Sequence, residues 1–279
     1  MFYEFAGGWQ ERYSRSDVMS LAPLRQWFRA RGLADSLRHL IADVRQRISP
    51  RQQRTHPFDR RHGLDTSGLL YADALATGHP HDLYSEGYYA TAPSLFHGAL
   101  AHWQANLHGL SLADYTFVDL GCGKGRVLMM ASEYPFRAIA GVELSTKLAT
   151  VARKNLARWM RTPRACSAVS VVEGDVLAFR IPEGPAVLFL FNSFEAEMMR
   201  GLLECLEDAS RTRSAPIDLI YLHPEHDNLV MRTAGIERLA DDNIPLSAED
   251  AAADAFEVNV DQCCIYRING RLMARSGHP

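Results

Sequence analysis

No apolar run in the chain approaches the roughly 20 residues that cross a bilayer. The first residues, MFYEFAGGWQERYSRSD, carry acids and arginines where a secretory leader would carry an apolar stretch. A soluble, cytoplasmic protein without membrane contacts is expected. Cysteine is sparse: Cys122, Cys166, Cys205, Cys263 and Cys264 are odd in number and show no metal-ligand spacing. That pattern supports neither a disulfide framework nor a zinc site. Cys263 and Cys264 lie in an apolar run and are expected in the core. No His/Cys/carboxylate group has ligand spacing, so no metal is expected. Internal repeats and low-complexity segments are missing. Excess charge of one sign is missing too, and a net charge of −3 argues against a general nucleic-acid partner.

What is present is an ordinary globular composition, 47% hydrophobic and 23% charged, in a length that accommodates one large α/β domain or a domain with an appendage. The charge is unevenly distributed. Residues 1–62 hold twelve arginines and six acids, a balance of +6, which leaves −9 on the remainder. Within residues 17–50, Leu37, Leu40, Ile41, Val44 and Ile48 recur on one helical face with arginines opposite. Asp35 fits as the cap of that helix and Pro50 as its stop. A helical extension over residues 1–53 is therefore expected. Its apolar stripe needs a partner surface, so a lid or an element of a homodimer is anticipated. Its arginines either meet an anionic substrate, a partner or a second subunit, or simply form solvated helix faces. Residues 54–112 read as a polar, turn-rich linker (54–68) and a helix before the sheet, in which Leu95, Ala99, Leu100, Trp103 and Leu107 share a face and Gly109 marks the stop.

Beyond residue 113 the pattern alternates. TFVDL (116–120), AIAGVE (138–143), VSVVEGD (169–175), AVLFLFN (186–192) and IDLIYLH (217–223) are apolar runs of strand length, as in strands covered on both faces. Amphipathic stretches around 125–134, 145–160, 194–209 and 225–236 lie between or after them. FEVNV and CCIYRI, separated by Asp261 and Gln262, suggest a closing antiparallel hairpin. The expected fold class is α/β: a doubly wound, seven-stranded, mostly parallel sheet over 113–279 with the N-terminal helical extension.

VDLGCGKGRVLMMAS (118–132) carries the most information. A strand bearing Asp119 runs into Gly121, Cys122, Gly123 and Gly125, and a helix follows. Ligands of open α/β sheets bind outside the carboxyl ends of the strands. Glycines allow close backbone approach there, and the helix start offers free N–H groups. A nicotinamide dinucleotide fingerprint would place its third glycine at 126, where this chain has Arg126. Glu143 ends the second strand, where an acid accepts from both hydroxyls of a ribose. Asp175 ends the third after Gly174, placed to accept from the exocyclic amine of adenine, with Leu144 and Val176 as apolar faces for the ring.

DLGCGKG, GVE and EGD resemble the successive S-adenosylmethionine motifs of class I (Rossmann-like) methyltransferases, across residues 116–223. FDRRHGLDTSG (58–68), GYYATAPSLF (87–96) and LFLFNSF (188–194) extend the likeness to a bacterial group whose members are mostly unassigned. The resemblance implies S-adenosyl-L-methionine as cofactor and S-adenosyl-L-homocysteine as product. It places Tyr88 and Thr91 in a loop over the methionine end, although Ala90 and Ala92 replace prolines of that group. It also implies that Arg61, His62 and Asp65 belong to a loop covering the active site; the other reading is a linker with internal hydrogen bonds. Asn192 and Phe194 are similar to an Asn-x-Phe arrangement in non-SET lysine methyltransferases, which would hold an amine. Asn192 equally suits a helix cap paired with Glu195. His223, at the end of the fifth run, is a candidate general base or an exposed or capping histidine. The expected activity is methyl transfer to oxygen or nitrogen of a small-molecule acceptor. A protein lysine acceptor, or a non-catalytic cofactor-binding regulator, stands as the alternative.

Overall fold

Strands covered on both faces must be apolar along their whole length, and this is what the central strands show. In a computed structural model, which describes residues 55–107 and 109–269, β1 (Thr116–Leu120) is buried at every position, as is β5 (Ile217–Leu222). β4 (Ala186–Phe191) is buried at all but its last residue. With β2 (Ala138–Glu143) and β3 (Val169–Glu173) they form five parallel strands. The sheet is completed by β7 (Val260–Ile268), which runs antiparallel to both its neighbours, and by β6 (Ile236–Pro245), which again points the same way as β1–β5, in the order β3-β2-β1-β4-β5-β7-β6. The seven-stranded, mostly parallel sheet is therefore as expected. The helical extension expected over 1–53, with its Asp35 cap and apolar stripe, lies outside the described residues. Among the described residues no helix is long and apolar enough to cross a membrane.

Helices cover both faces, making two apolar layers. Across one face lie α1 (Pro57–His62), α3 (Pro93–Ala105), α4 (Arg126–Ala131) and the end of α5 (Thr146–Trp159), with the single turn α2 (Ala72–Leu75) between α1 and α3 in the chain. Phe96, fully buried on α3, sits edge-on to Phe117 and Phe189 at 6.1 and 5.7 Å between ring centres. The other face is covered by α6 (Ala196–Arg211) through Met198, Met199, Leu202, Leu203 and Leu206, with Val230 of α7 (Asp227–Arg232). Cys263 and Cys264 are buried in β7, one toward each layer, as a strand's alternation requires.

Two expectations are corrected. FEVNV does not form the first strand of the closing pair. The partner of β7 is Ile236–Pro245, and residues 246–259 connect the two through a short helix, α8 (Ala248–Ala253). β6 is the sheet's edge, mostly half-buried or exposed, so it tolerates charges and a proline that hide it in sequence. The stretch 54–68 is not merely a linker either. His56 caps α1 by accepting the Phe58 N–H at 3.1 Å, Pro57 opens the helix, and Gly63 at φ 65° ends it.

Asp218, the second residue of β5, is an acid with no solvent exposure. It accepts from Arg267 Nε and Nη2 at 2.8 and 3.0 Å and from Trp103 Nε1 at 2.9 Å. This ties α3 to the β5–β7 pair, and a buried ion is tolerated because its oxygens are satisfied.

Candidate cofactor cleft

Because β1 leads outward to β2 and β3 on one side while β4 and β5 lie on the other, the chain reverses at β1/β4, and a crevice opens at those carboxyl ends. A cleft of about 1010 Å³, open to solvent, lies there. Its floor is the turn after β1. The Gly121 and Cys122 N–H groups both donate to Val142 O at 2.9 Å, and Gly125 donates to Cys122 O at 2.8 Å, so the loop is bound tightly to β2. Gly123, at φ 54°, is packed so closely under Tyr88 that a Cβ would lie 2.2 Å from the ring. Gly125, in the left-handed region at φ 85°, then caps α4.

Three carboxylates stand around this floor. Glu143 is buried; Oε2 accepts from Gly123 N and Oε1 from Ser145 N, both at 2.8 Å. These backbone donors fix its orientation and leave part of its acceptor capacity for a ligand, since a carboxylate has about four acceptor sites. Burial raises its pKa, against the Ser145, Gly123 and Leu144 N–H groups that lower it. Asp119, also buried, is pushed well above the usual carboxylate range, first by desolvation and then by the charge of Glu143. Asp175 is half-buried; Oδ1 accepts from Leu177 N at 3.0 Å, and Oδ2 lies 3.0 Å from His81 Nδ1. Leu144 and Val176 line the cleft beside these acids. Gly174 is one step outside the lining, its N–H donating to Glu143 O at 2.9 Å. Gly125 likewise serves the turn and does not line the cleft.

The outer wall comes from residues 72–91, pinned to the end of β4. Ser85 bridges Phe194, Glu86 N donates to Ser193 O at 3.1 Å, and Glu195 N donates to Tyr84 O at 2.9 Å. Tyr88 and Thr91 line the cleft; the Tyr88 hydroxyl donates to Thr66 O at 2.6 Å. Behind them Arg126, 4% exposed, donates through Nε to Thr66 Oγ1 at 2.7 Å and through Nη1 to Thr91 O at 3.3 Å. Asp59, 1% exposed, accepts from both the N–H and the hydroxyl of Thr66 and of Ser67, and lies 3.8 Å from Arg126 Nη2. The 58–68 segment is thus a brace that locks the glycine loop to the Tyr88–Thr91 wall through one guanidinium.

That placement separates the other expected site residues from the cleft. Arg61 is exposed and pairs with Glu249 at 2.9 Å. His62 packs edge-on to Trp159 at 4.8 Å, and burial, with the Arg61 charge second, lowers its pKa. Asp65 is exposed and pairs with Lys124 at 2.8 Å. None of the three lines the cleft. Phe194 does line it. Asn192, one residue outside, has φ 36° and accepts from the Tyr221 hydroxyl through Oδ1 at 3.2 Å. It does not cap α6, whose cap is Glu195. His223, also left-handed at φ 51°, lies on the far side of β5 between Asp261 and Glu225. Those two hydrogen bonds raise its pKa to about 10, so it is protonated at neutral pH and cannot accept a proton there.

Several lining residues escaped the sequence reading: Ser193, Met198, Leu148, Tyr89 and Arg126. Ser193 could have been suspected from its neighbour Asn192, but Arg126 stood out only as the residue that spoils a dinucleotide pattern.

No protein-family profile matches the chain, and no curated protein matches it in sequence. Solved structures show a distant likeness. A glycopeptide N-methyltransferase complexed with S-adenosyl-L-methionine is 15% identical, over 65% of this chain and 96% of its own, with a TM-score of 0.46. The Escherichia coli protein YhhF is 15% identical over 67% and 94%, at 0.45. A 23S rRNA methyltransferase is 13% identical over 66% and 70%, at 0.43. At this level of likeness nothing about activity transfers.

Proposed function

We propose that the chain is an S-adenosyl-L-methionine-dependent methyltransferase acting on oxygen or nitrogen of a small-molecule acceptor. The observation that carries this reading is Glu143: a carboxylate at the tip of β2, clamped by the Gly123 and Ser145 N–H groups, with its open lone pairs beside a glycine turn. That is the acceptor geometry a ribose diol requires. Asp175 and Val176, one strand over, suit the amine and face of adenine. The cofactor supplies an electrophilic methyl group on a sulfonium sulfur. The chain's own part is placement: Glu143 and Asp119 offer hydrogen-bonding oxygens at the floor, the Tyr88–Thr91 wall excludes water, and Ser193 and Phe194 border the mouth where an acceptor enters.

The charge of the cleft supports a neutral or cationic acceptor. Among the described lining residues Asp82, Glu86, Glu143 and Asp175 are acids besides Asp119, whose charge burial disfavours, and Arg126 is a cation engaged within the wall. A phosphate-rich acceptor would meet repulsion there.

Calorimetric titration of the full chain with S-adenosyl-L-methionine and S-adenosyl-L-homocysteine tests the cofactor. Loss of a charged hydrogen-bond acceptor is worth about 1.5–3 kcal/mol. Glu143→Gln and Asp175→Asn, each checked by thermal melting for an intact fold, are therefore expected to weaken binding about 10- to 100-fold. No binding at millimolar ligand, or equal affinity in folded Glu143→Gln, overturns the reading. Labelled methyl donor offered to metabolite extract and to lysate protein then decides the acceptor; label confined to protein would refute the small-molecule assignment.

A further inference from the structure

We propose that His79, His81 and Asp175 form a binding site for a zinc-class divalent transition metal at the edge of the cleft, and that an ion there withdraws Asp175 from the cofactor. The second half rests on the cofactor reading above; the first stands without it.

Spacing along the chain concealed the site, because its ligands come from two segments 94 residues apart. In space one ligand atom from each residue lies within 4.8 Å of the others. A tetrahedral ion with N and O ligands at about 2.0–2.1 Å holds them about 3.3 Å apart. The His81 Nδ1 to Asp175 Oδ2 separation of 3.0 Å already fits two neighbouring positions. In the metal-free protein that pair is hydrogen-bonded, and an ion would take His81 through Nδ1 in the tautomer that carries its ring proton on Nε2. Two imidazoles and one carboxylate are a donor set for zinc, cobalt or nickel; calcium and magnesium prefer oxygen alone.

The scaffold holds the ligands near one another. His79 caps the 3₁₀ turn Pro80–Tyr84, so its ring and that of His81 flank a proline and meet edge-on at 5.0 Å. Asp82 accepts from Thr77 N and Gly78 N, both at 2.7 Å, which fastens the approach to His79. Asp175 is anchored by Leu177 N through its other oxygen. The His79 Nδ1 accepts the His81 backbone N–H at 3.2 Å, so an ion takes His79 through Nε2 or displaces that bond. All three residues are half-buried, leaving one side open for water as a fourth ligand. Asp175 also lines the cleft, so an oxygen committed to a metal is lost to an adenine amine.

The test uses the untagged full chain. Zinc chloride is titrated by calorimetry, and cobalt chloride by visible absorption, into wild type, His79→Ala, His81→Ala and the double variant, with melting curves as the folding control. One ion per chain is expected in the wild type, with affinity lowered more than about tenfold in each single variant. Equal isotherms in the wild type and a folded double variant overturn the site. Zinc is expected to weaken S-adenosyl-L-methionine binding in the wild type and to leave the double variant unaffected. An ion held by the histidine pair with unchanged cofactor affinity overturns the withdrawal. A double variant that binds cofactor, beside a wild type that binds no zinc, overturns the metal site and spares the cofactor reading. Zinc bound through the pair by a chain that binds no cofactor does the reverse.

Discussion

Gly123→Ala is expected to destabilise the chain through one identified contact. At φ 54° an alanine occupies the left-handed region at a cost of about 1–2 kcal/mol. Its Cβ would lie 2.2 and 2.5 Å from Cε2 and Cδ2 of Tyr88, far inside van der Waals contact. The ring cannot yield freely. Tyr88 is buried, and its hydroxyl is bonded to Thr66 O at 2.6 Å. Overpacking of this kind costs about 1–3 kcal/mol, for a total of about 2–5 kcal/mol. Replacing Tyr88 with alanine removes the obstacle, so in that background only the backbone part, about 1–2 kcal/mol, should remain. Urea denaturation of the wild type, both single variants and the double variant closes the cycle. A coupling of about 1–3 kcal/mol in favour of the double variant is expected. Strict additivity would refute the contact, and with it the claim that the Tyr88 wall rests directly on the glycine turn.

Two further perturbations probe the scaffold around the cleft. Asp218→Ala leaves the half-buried Arg267 guanidinium and the buried Trp103 N–H without their shared acceptor and should cost about 3–5 kcal/mol in urea unfolding, much of it recovered by Asp218→Leu combined with Arg267→Met. For His223 the folded pKa, about 10, lies above its ordinary 6.5. Stability from its pairing with Asp261 and Glu225 is therefore fully present below pH 6.5 and lost as pH rises through 10. Melting temperatures of wild type and His223→Gln should converge toward pH 10, while parallel profiles would refute the pairing.

Local patterns made the central sheet legible. The central strands need continuous apolar runs, whereas β3, at the other edge of the sheet, carries such a run without burying any of its residues; the glycine turn with acids at three strand ends follows from short-range sequence around each strand end. β6 was illegible because an edge strand needs no apolar run; IERLADDNIP carries four acidic or basic side chains along a strand with a single buried position. FEVNV resembled a strand by alternation alone, yet residues 246–259 form the connection that lets β7 reach β6.

The chain's sequence by itself determined the α/β alternation, the site of the turn and the acids Asp119, Glu143 and Asp175, because each depends on residues adjacent along one strand and its loop. Only the tertiary structure decided that Arg126 joins three segments, that Arg61, His62, Asp65 and His223 point away from the cleft, and that His79 and His81 meet Asp175. Those outcomes depend on which side of a packed layer a loop returns to. Contacts between segments tens of residues apart settle that, and no local pattern records them.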